Sequence, residues 1–250
     1  MRTPHLRYDK QALSVDCVVF GFNGKSLKVL LEKRRRILSS HKIASNLKLP
    51  GSLISDTEDI NDAAYRVIRE YTGARNINLR QMEVFSEPQR VQGNELKWIN
   101  DYYHVSLTRV VTIVFFALVK LDDKLENYSN NNGAQWAELN EVQNLALDHN
   151  KILITAIDRL LDLFHLEPVA FEFLPRKFTI RQLQNLYETV FDVEIDNRNF
   201  RKKMVSLEYL VPLNVKESNV AHKPAQYYSF DRRKYVQKNK KIFKLSSVYK

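Results

Sequence analysis

The sequence has a single cysteine and no long apolar run. Because Cys17 is that cysteine, no disulfide can form within the chain, which favours a reducing compartment. The most apolar segment, residues 110–118, is about half as long as the roughly 20 residues that a membrane-spanning helix needs. The start of the sequence lacks the apolar region of a secretion signal. These absences predict a cytoplasmic protein that does not enter a membrane.

Motifs of several enzyme classes are also missing. The six histidines are scattered, without the i, i+4 spacing of a helical metal site, and no cluster of cysteine and histidine suits zinc. Neither the nucleophile motif of serine hydrolases nor a glycine-rich phosphate loop is present. The sequence therefore predicts no bound metal and no cofactor.

Charge divides the chain into two parts. Residues 1–175 contain 22 basic and 22 acidic side chains, whereas residues 176–250 contain 17 basic and 7 acidic ones. The whole net charge of +10 thus lies in the second part. A cationic surface attracts polyanions through counterion release and electrostatic steering. We therefore expect a neutral domain followed by one that binds nucleic acid.

Strands and helices are mixed in the neutral part. Apolar, β-branched runs at residues 14–22 and 27–31 flank Asn23 and Gly24, a strong hairpin signal. This mixture predicts an α/β or α+β sandwich. The other predicted elements are strands at 77–85, 109–120 and 134–139 and a helix at 151–164.

Residues 86–109 form a polar and aromatic segment between two of these strands. It is longer than the usual connection, so we expect a lid or binding loop. Packing on a small ligand is one use of its aromatic side chains, and ordinary packing or a dimer contact is the alternative. The aromatic residues concerned are Trp98, Tyr102, Tyr103 and His104.

Residues 57–73 predict an amphipathic helix, with acids in its first turn and Gly73 at its end. Its apolar stripe consists of Ile60, Ala63, Ala64, Val67, Ile68 and Tyr71. Residues 49–73 resemble the Nudix box, whose pattern is G-x5-E-x7-R-E-U-x-E-E-x-G-U, where U is a bulky aliphatic residue. The positions that carry the resemblance are Ser52 at the first glycine, Glu58, Arg66, Ile68, Glu70 and Gly73. The resemblance extends through the surrounding strands to about residue 150.

Two glutamates of the box are replaced, by Val67 and Tyr71. The resemblance implies that three carboxylates there would hold Mg²⁺ or Mn²⁺ against a pyrophosphate and polarise water. Glu70 alone cannot supply that set, so we expect no hydrolysis. The alternative is an active pyrophosphohydrolase with substitute ligands drawn from Glu58, Glu70, Asp59 and Asp62.

The basic part predicts two helices and two strands. The helices, at 180–190 and 197–207, follow the N-cap residues Thr179 and Asp196. The second helix places cations opposite Phe200, as a DNA recognition helix does, and Arg198 is our candidate base reader. Strands at 209–215 and 225–230 predict a wing. The predicted DNA contacts are Arg198, Asn199, Arg201, Lys202 and Ser206 on the helix and Lys216, His222 and Lys223 in the wing.

Residues 172–231 resemble the winged helix of Nudix-related transcriptional regulators, the NrtR-like group. The resemblance implies an α+β chain with an N-terminal Nudix-type α/β/α sandwich followed by a C-terminal winged helix-turn-helix domain. It also implies a homodimer on palindromic, double-stranded operator DNA. The predicted segments are a Nudix domain at 1–150, a connecting helix and linker at 151–171, a winged helix at 172–231 and a basic tail at 232–250. An RNA-binding module is a further alternative, because winged helices and basic tails serve both nucleic acids.

The resemblance implies that the Nudix domain senses a small molecule. Some members of the group sense ADP-ribose and others, in the arabinose-responsive AraR branch, a sugar. The replacement of acids by Val67 and Tyr71 slightly favours a neutral sugar. The candidate effector contacts are Lys33, Arg34, Lys48, Tyr71 and Arg90.

Overall fold

The computed structural model describes residues 10–34, 45–218 and 223–240, with side chains up to residue 238. The strands are β1 (Gln11–Phe22), β2 (Leu27–Lys33), β3 (Leu47–Lys48), β4 (Gly51–Leu53), β5 (Arg80–Phe85), β6 (Arg109–Lys120), β7 (Ala134–Glu138), β8 (Phe178–Thr179), β9 (Leu210–Lys216) and β10 (Gln226–Phe230). The helices are α1 (Ile60–Thr72), α2 (Gly93–Tyr103), α3 (Asp123–Asn131), α4 (His149–Leu166), α5 (Ile180–Phe191), α6 (Asn197–Val205) and α7 (Arg232–Lys240). In the described part of the chain, no helix is long and apolar enough to cross a membrane.

The chain divides into two compact units. The first contains β1 and residues 27–167, and the second contains residues 168–240 of the described part. The first unit is built on a seven-stranded mixed sheet. Five strands follow the path β3-β2-β1-β6-β5, and β4 pairs with β1 and β7 with β2 outside this path. β1 pairs in parallel with β6 along its full length and antiparallel with β2. The pairing of β1 with β2 confirms the predicted hairpin, in which Gly24 takes a positive φ of 96°.

The two faces of β1 have different neighbours because successive side chains of a strand point to opposite faces. Val15 and Cys17 pack in the apolar core with α1, which is why α1 buries Val67 and Ile68 there. The Cys17 thiol also lies 3.9 Å from the backbone oxygen of Ala64. The other face of β1 carries Ser14 and Asp16, which are buried and polar. The candidate site lies on this second face.

The prediction of a loop at residues 86–109 is wrong, because helix α2 occupies the middle of this segment. Trp98 and Ile99 of α2 are buried in a small core with Val91 and Val110. The sequence signal of this helix is weak, since Gln92 makes no side-chain cap and glycine is the first helical residue. Tertiary burial rather than local preference therefore stabilises α2.

Other elements differ from prediction at their ends. β5 begins at Arg80 rather than at residue 77, and α3 lies in a segment for which no helix was predicted. Asp122 begins α3 by accepting a hydrogen bond from the backbone nitrogen of Leu125 at 3.1 Å. The segment predicted as a basic tail begins as α7, and residues 241–250 lie outside the described part.

The second unit is a winged helix-turn-helix. Thr179 and Gln182 form a reciprocal capping box at the start of α5, as the N-cap prediction required. α5 packs on a sheet of order β8-β10-β9, in which β9 and β10 form the wing, and α6 packs against α5. The buried residues of this unit include Phe178, Ile180, Leu183, Leu186, Phe200, Met204, Leu210 and Tyr228.

Candidate functional site

Three residues of the box join the loop before α1 to the helix. The Arg66 guanidinium donates to both carboxylate oxygens of Glu58, at 2.6 and 2.9 Å, and to the hydroxyl of Ser52 at 2.9 Å. Hydrogen bonds from Arg66 lower the pKa of Glu58 to about 2. Gly73 then ends α1 in the left-handed conformation, with a φ of 63°. These residues therefore preserve the shape of the box.

Of the three helix positions where the Nudix pattern has adjacent metal-binding glutamates, one carries an acid here. Val67 is buried in the core, Glu70 is exposed, and the half-buried Tyr71 hydrogen-bonds to Glu32 of β2. Burial, followed by the charge of Glu32, raises the pKa of Tyr71. Its hydroxyl therefore stays protonated and donates a hydrogen bond to Glu32. Among the described residues, no three His, Cys, Asp or Glu side chains form a group that could hold a metal ion. This donor set does not fit the divalent cation of a Nudix hydrolase.

Lys48 lies beside Glu32 and supplies a buried positive charge. Its ammonium nitrogen lies 2.7 Å from Oε1 of Glu32, 3.1 Å from the backbone oxygen of Gly51 and 3.2 Å from that of Leu49. An ammonium group has three N–H donors, so these three oxygens satisfy it. Because Lys48 and Glu32 are both buried, each needs the charge of the other.

A cavity opens between the polar face of β1 and helix α2. Its lining combines a carboxylate, two cations and several hydroxyls with apolar and aromatic side chains, a combination that suits a small molecule with charged and apolar parts. Its lining residues are Ser14, Asp16, Lys48, Gly51, Ser52, Leu53, Arg90, Val91, Trp98, Ile99, Tyr103, Val110, Thr112 and Leu147.

Asp16 and His149 form a buried polar pair beside this cavity. Nδ1 of His149 accepts a hydrogen bond from the backbone nitrogen of Leu49 at 2.8 Å, so the ring proton is on Nε2, which lies 3.4 Å from Oδ2 of Asp16. Burial raises the pKa of Asp16 to about 6. Burial, together with the charges of Lys48 and Arg90, lowers the pKa of His149 well below its usual value. His149 is therefore neutral, and its Nε2 lies near Asp16 without making a hydrogen bond among the described residues.

Arg90 lies between the cavity and the start of α4. It donates to both carboxylate oxygens of Asp148, at 2.6 and 2.8 Å, and to the hydroxyl of Thr112. Since a guanidinium has five N–H donors, these contacts leave two for a ligand. Asp148 is the N-cap of α4, and His149 is the first residue of the helix. Two cavity residues therefore lie at the start of this helix, Arg90 beside Asp148 and Asp16 beside His149.

Trp98 lines the cavity, and its ring contacts two other side chains. The Arg34 guanidinium lies 4.0 Å from its ring centre, and the ring of Tyr102 stacks at 5.0 Å. The Trp98 Nε1 donor has no hydrogen-bond partner among the described residues. Arg34 itself also donates to Glu95 at 2.7 Å. Trp98 therefore lines the cavity and carries a buried donor that no described residue satisfies.

The predicted effector contacts fall into two groups. Lys48 and Arg90 line the cavity, whereas Lys33, Arg34 and Tyr71 lie outside its lining in the described structure. Lys33 is exposed at the end of β2. Sequence reasoning did not single out the lining residues Asp16, Ser14 and Thr112. A lone acid or hydroxyl in an apolar strand carries no signal until pairing brings it to its neighbours.

Helix α6 presents its basic side chains away from the core of its unit. Phe200 and Met204 are buried, and the carboxylate of Asp196 caps the helix by accepting from the backbone nitrogen of Asn199 at 2.8 Å. The exposed predicted residues are Arg198, Asn199, Arg201, Lys202 and Ser206. This cationic face suits a major groove lined by phosphates.

The wing carries further exposed cations. Lys216 ends β9 opposite Gln226 of β10, and Lys223 precedes β10. Both lysines are exposed. The predicted contact His222 lies outside the described residues.

Comparison with known proteins matches a family model to each part of the chain. The family model described as NUDIX domain matches residues 10–158, and the one described as NrtR DNA-binding winged helix domain matches residues 170–230. A curated relative is the ADPR responsive transcriptional repressor NtrR of Acinetobacter baylyi, which is 26% identical over 89% of this chain and 83% of its own length.

Solved structures have the same fold. Shewanella oneidensis NrtR complexed with a 27mer DNA is similar, with a TM-score of 0.67, 22% identity and coverage of 89% of this chain and 94% of that chain. A MutT/nudix family protein from Enterococcus faecalis is similar with a TM-score of 0.60, 24% identity and coverage of 92% and 89%.

Proposed function

Because this chain belongs to the NUDIX domain family and continues into an NrtR-type DNA-binding winged helix domain, we propose that it is a ligand-responsive transcriptional regulator. In this proposal, α6 and the wing bind operator DNA, and a small molecule in the NUDIX cavity controls that binding. The observation that carries the proposal is the exposed basic face of α6 in a chain whose other unit contains a polar cavity.

The DNA contacts divide by chemistry. Arg198 lies in the first turn of α6, where a recognition helix reads base edges, and a guanidinium donates well to guanine. Arg201 and Lys202 lie one turn later and suit phosphates, which receive more than half of protein contacts to DNA. Lys216 and Lys223 extend the same positive surface into the wing.

Duplexes from the region upstream of the protein's own gene test DNA binding. Fluorescence anisotropy at several salt concentrations should reveal one preferred duplex and a steep loss of affinity with salt. An RNA duplex of the same sequence should compete weakly. Absence of binding to any of these DNA duplexes at low salt would refute the proposal, and preference for RNA would favour the RNA-binding alternative.

We propose ADP-ribose as the effector, since a curated relative is named for its response to that molecule. The unused donors of Arg90 suit a diphosphate, and the carboxylate of Asp16 suits ribose hydroxyls. A neutral sugar such as arabinose has no diphosphate for Arg90 to bind. Calorimetric titration of the full chain with ADP-ribose and with arabinose separates the two, and binding of arabinose alone would reverse this assignment.

The relative is a repressor, which indicates a regulator rather than an enzyme. We infer that Val67 and Tyr71, in place of two glutamates, are the reason that bound ligand is not cleaved. Incubation with ADP-ribose and Mn²⁺ should therefore yield no AMP. Turnover that Glu70→Gln abolishes would establish hydrolysis instead.

The proposed active form is a homodimer in the cytoplasm, because a palindromic operator matches the two-fold symmetry of a dimer. Light scattering on the free chain should give the mass of two copies. Binding of one chain to half an operator with undiminished affinity would contradict it.

A further inference from the structure

The NUDIX unit carries a buried cation of its own beside the altered box. We propose that the Lys48 ammonium is the resident cation of this site and takes the place of a divalent metal ion, which the site neither needs nor accepts. The proposal concerns the NUDIX unit alone and depends neither on DNA binding nor on the identity of the effector.

The surroundings of Lys48 resemble those of a bound cation. Three oxygens, one from the carboxylate of Glu32 and two from the backbone at Leu49 and Gly51, lie between 2.7 and 3.2 Å from its nitrogen. Carboxylate and carbonyl oxygens are also the groups that hard cations prefer. The backbone oxygens belong to the segment that leads into the box. The ammonium therefore occupies an oxygen cage at the entrance of the box.

Tyr71 contacts the same carboxylate, that of Glu32, from the helix. A glutamate at this position, as in the Nudix pattern, would place a second negative charge against Glu32, whereas the tyrosine hydroxyl donates a hydrogen bond to it. The single charge of Lys48 then balances the single charge of Glu32. A divalent ion would find the carboxylate of Glu32 already paired with an ammonium. Tyrosine in place of glutamate and the presence of Lys48 thus serve the same end, which is to leave one negative charge balanced by one positive charge.

Metal binding by the wild-type chain is the first test. Free Mn²⁺ should stay constant when protein is added, as followed by its electron paramagnetic resonance signal. Neither EDTA nor Mn²⁺ at 5 mM should shift the melting temperature by more than about 1 °C. Saturable Mn²⁺ binding that Glu32→Gln or Glu70→Gln removes would overturn the proposal. This result is independent of whether ADP-ribose binds.

Removal of the ammonium is the second test. Lys48→Ala should lower the melting temperature, because it leaves Glu32 buried without a partner charge, and Mn²⁺ or Mg²⁺ should then restore several degrees by entering the vacated cage. The matched control, Lys48→Ala with Glu32→Gln, removes both charges and should show no metal response. Lys48→Gln, which keeps two N–H donors but no charge, serves if the alanine variant does not fold.

Two results of the second test count against the proposal. One is a melting temperature that does not change in Lys48→Ala or Lys48→Gln, because the ammonium would then not be required. The other is a loss of stability that no divalent cation restores in either variant, because Lys48 would then be an ordinary buried partner of Glu32. Metal-specific recovery that disappears in the double variant supports it.

Discussion

Gly51 lies where β4 meets the polar face of β1, and its missing side chain is a structural requirement. A Cβ at this position would lie 1.9 Å from Oδ1 of Asp16 and 2.7 Å from the backbone oxygen of Val15. The side chain of Asp16 could rotate away, but the backbone of β1 could not. The close approach of Gly51 therefore fixes the geometry of Asp16 in the cavity.

We expect Gly51→Ala to lower the free energy of unfolding by about 1–3 kcal/mol, the usual cost of overpacking. Chemical denaturation of both proteins measures this difference. Gly133→Ala provides a comparison in which a Cβ meets no atom within 4 Å, although its φ of 81° adds backbone strain. Equal stability of wild type and Gly51→Ala would show that the strand can shift.

Asp16 should make stability depend on pH in an unusual direction. Its pKa of about 6 in the folded protein exceeds the value of about 3.9 expected in the unfolded chain, so the folded state binds more protons between these values. Stability from this group is therefore present at low pH and lost as pH rises through 6. The ionisable groups around Asp16 are Glu32, Lys48, Arg90, Asp148 and His149.

Comparison with Asp16→Asn isolates this effect from the opposite contribution of His149. The wild type should gain up to about 3 kcal/mol relative to the variant between about pH 6 and pH 4. Urea unfolding of both proteins at four pH values in this range gives the difference. A constant difference would mean that Asp16 is ionised throughout.

Helix α6 is where charge should control DNA affinity. Arg201→Ala and Lys202→Ala should each reduce the salt slope of binding by about one unit and weaken all sequences alike. Arg198→Ala should cost about 1–3 kcal/mol and relax the preference for one base. Lys124→Ala, an exposed lysine on α3, is the matched control. If the Lys202 variant lost the base preference and the Arg198 variant kept it, Lys202 would be the base reader and Arg198 the phosphate contact.

Helix α4 starts beside the cavity and ends just before the second unit begins. Its first turn contacts Arg90 and Asp16, and the second unit begins at Pro168, just after its end at Leu166. We expect Asp148→Asn to leave DNA affinity unchanged without ligand but to reduce the effect of ADP-ribose on it. Asp158→Asn, exposed on the same helix, should behave as wild type in the same anisotropy titrations. A full response in Asp148→Asn would place the coupling elsewhere.

The predictability of the elements follows the strength of their local signals. β6 and the hairpin of β1 and β2 were predictable from apolar runs, and α1 and α5 from caps and periodicity. α2 was not, because its burial depends on a core made by distant residues. The cavity was not predictable for the same reason, since Asp16, Arg90 and Trp98 are separated along the chain and meet only in the fold.

At the scale of the whole molecule, the neutral part is the one proposed to bind the ligand, and the basic part is the one proposed to bind DNA. Cations of the second part lie on α6, in the wing and on α7, and we propose that DNA binds at α6 and the wing. The first part balances its charges in buried pairs, such as Lys48 with Glu32 and Arg90 with Asp148. Regulation then requires that the ligand bind the DNA-competent and the incompetent states with different affinities.

The most direct test of this account is DNA affinity with and without ADP-ribose. Anisotropy of the preferred upstream duplex should give a dissociation constant that rises about tenfold when ADP-ribose saturates the wild-type chain, a typical coupling between two sites. Arg90→Met should retain DNA binding and lose this response. An unchanged dissociation constant, although calorimetry reports bound ADP-ribose, would contradict the claim that the NUDIX cavity controls the winged helix.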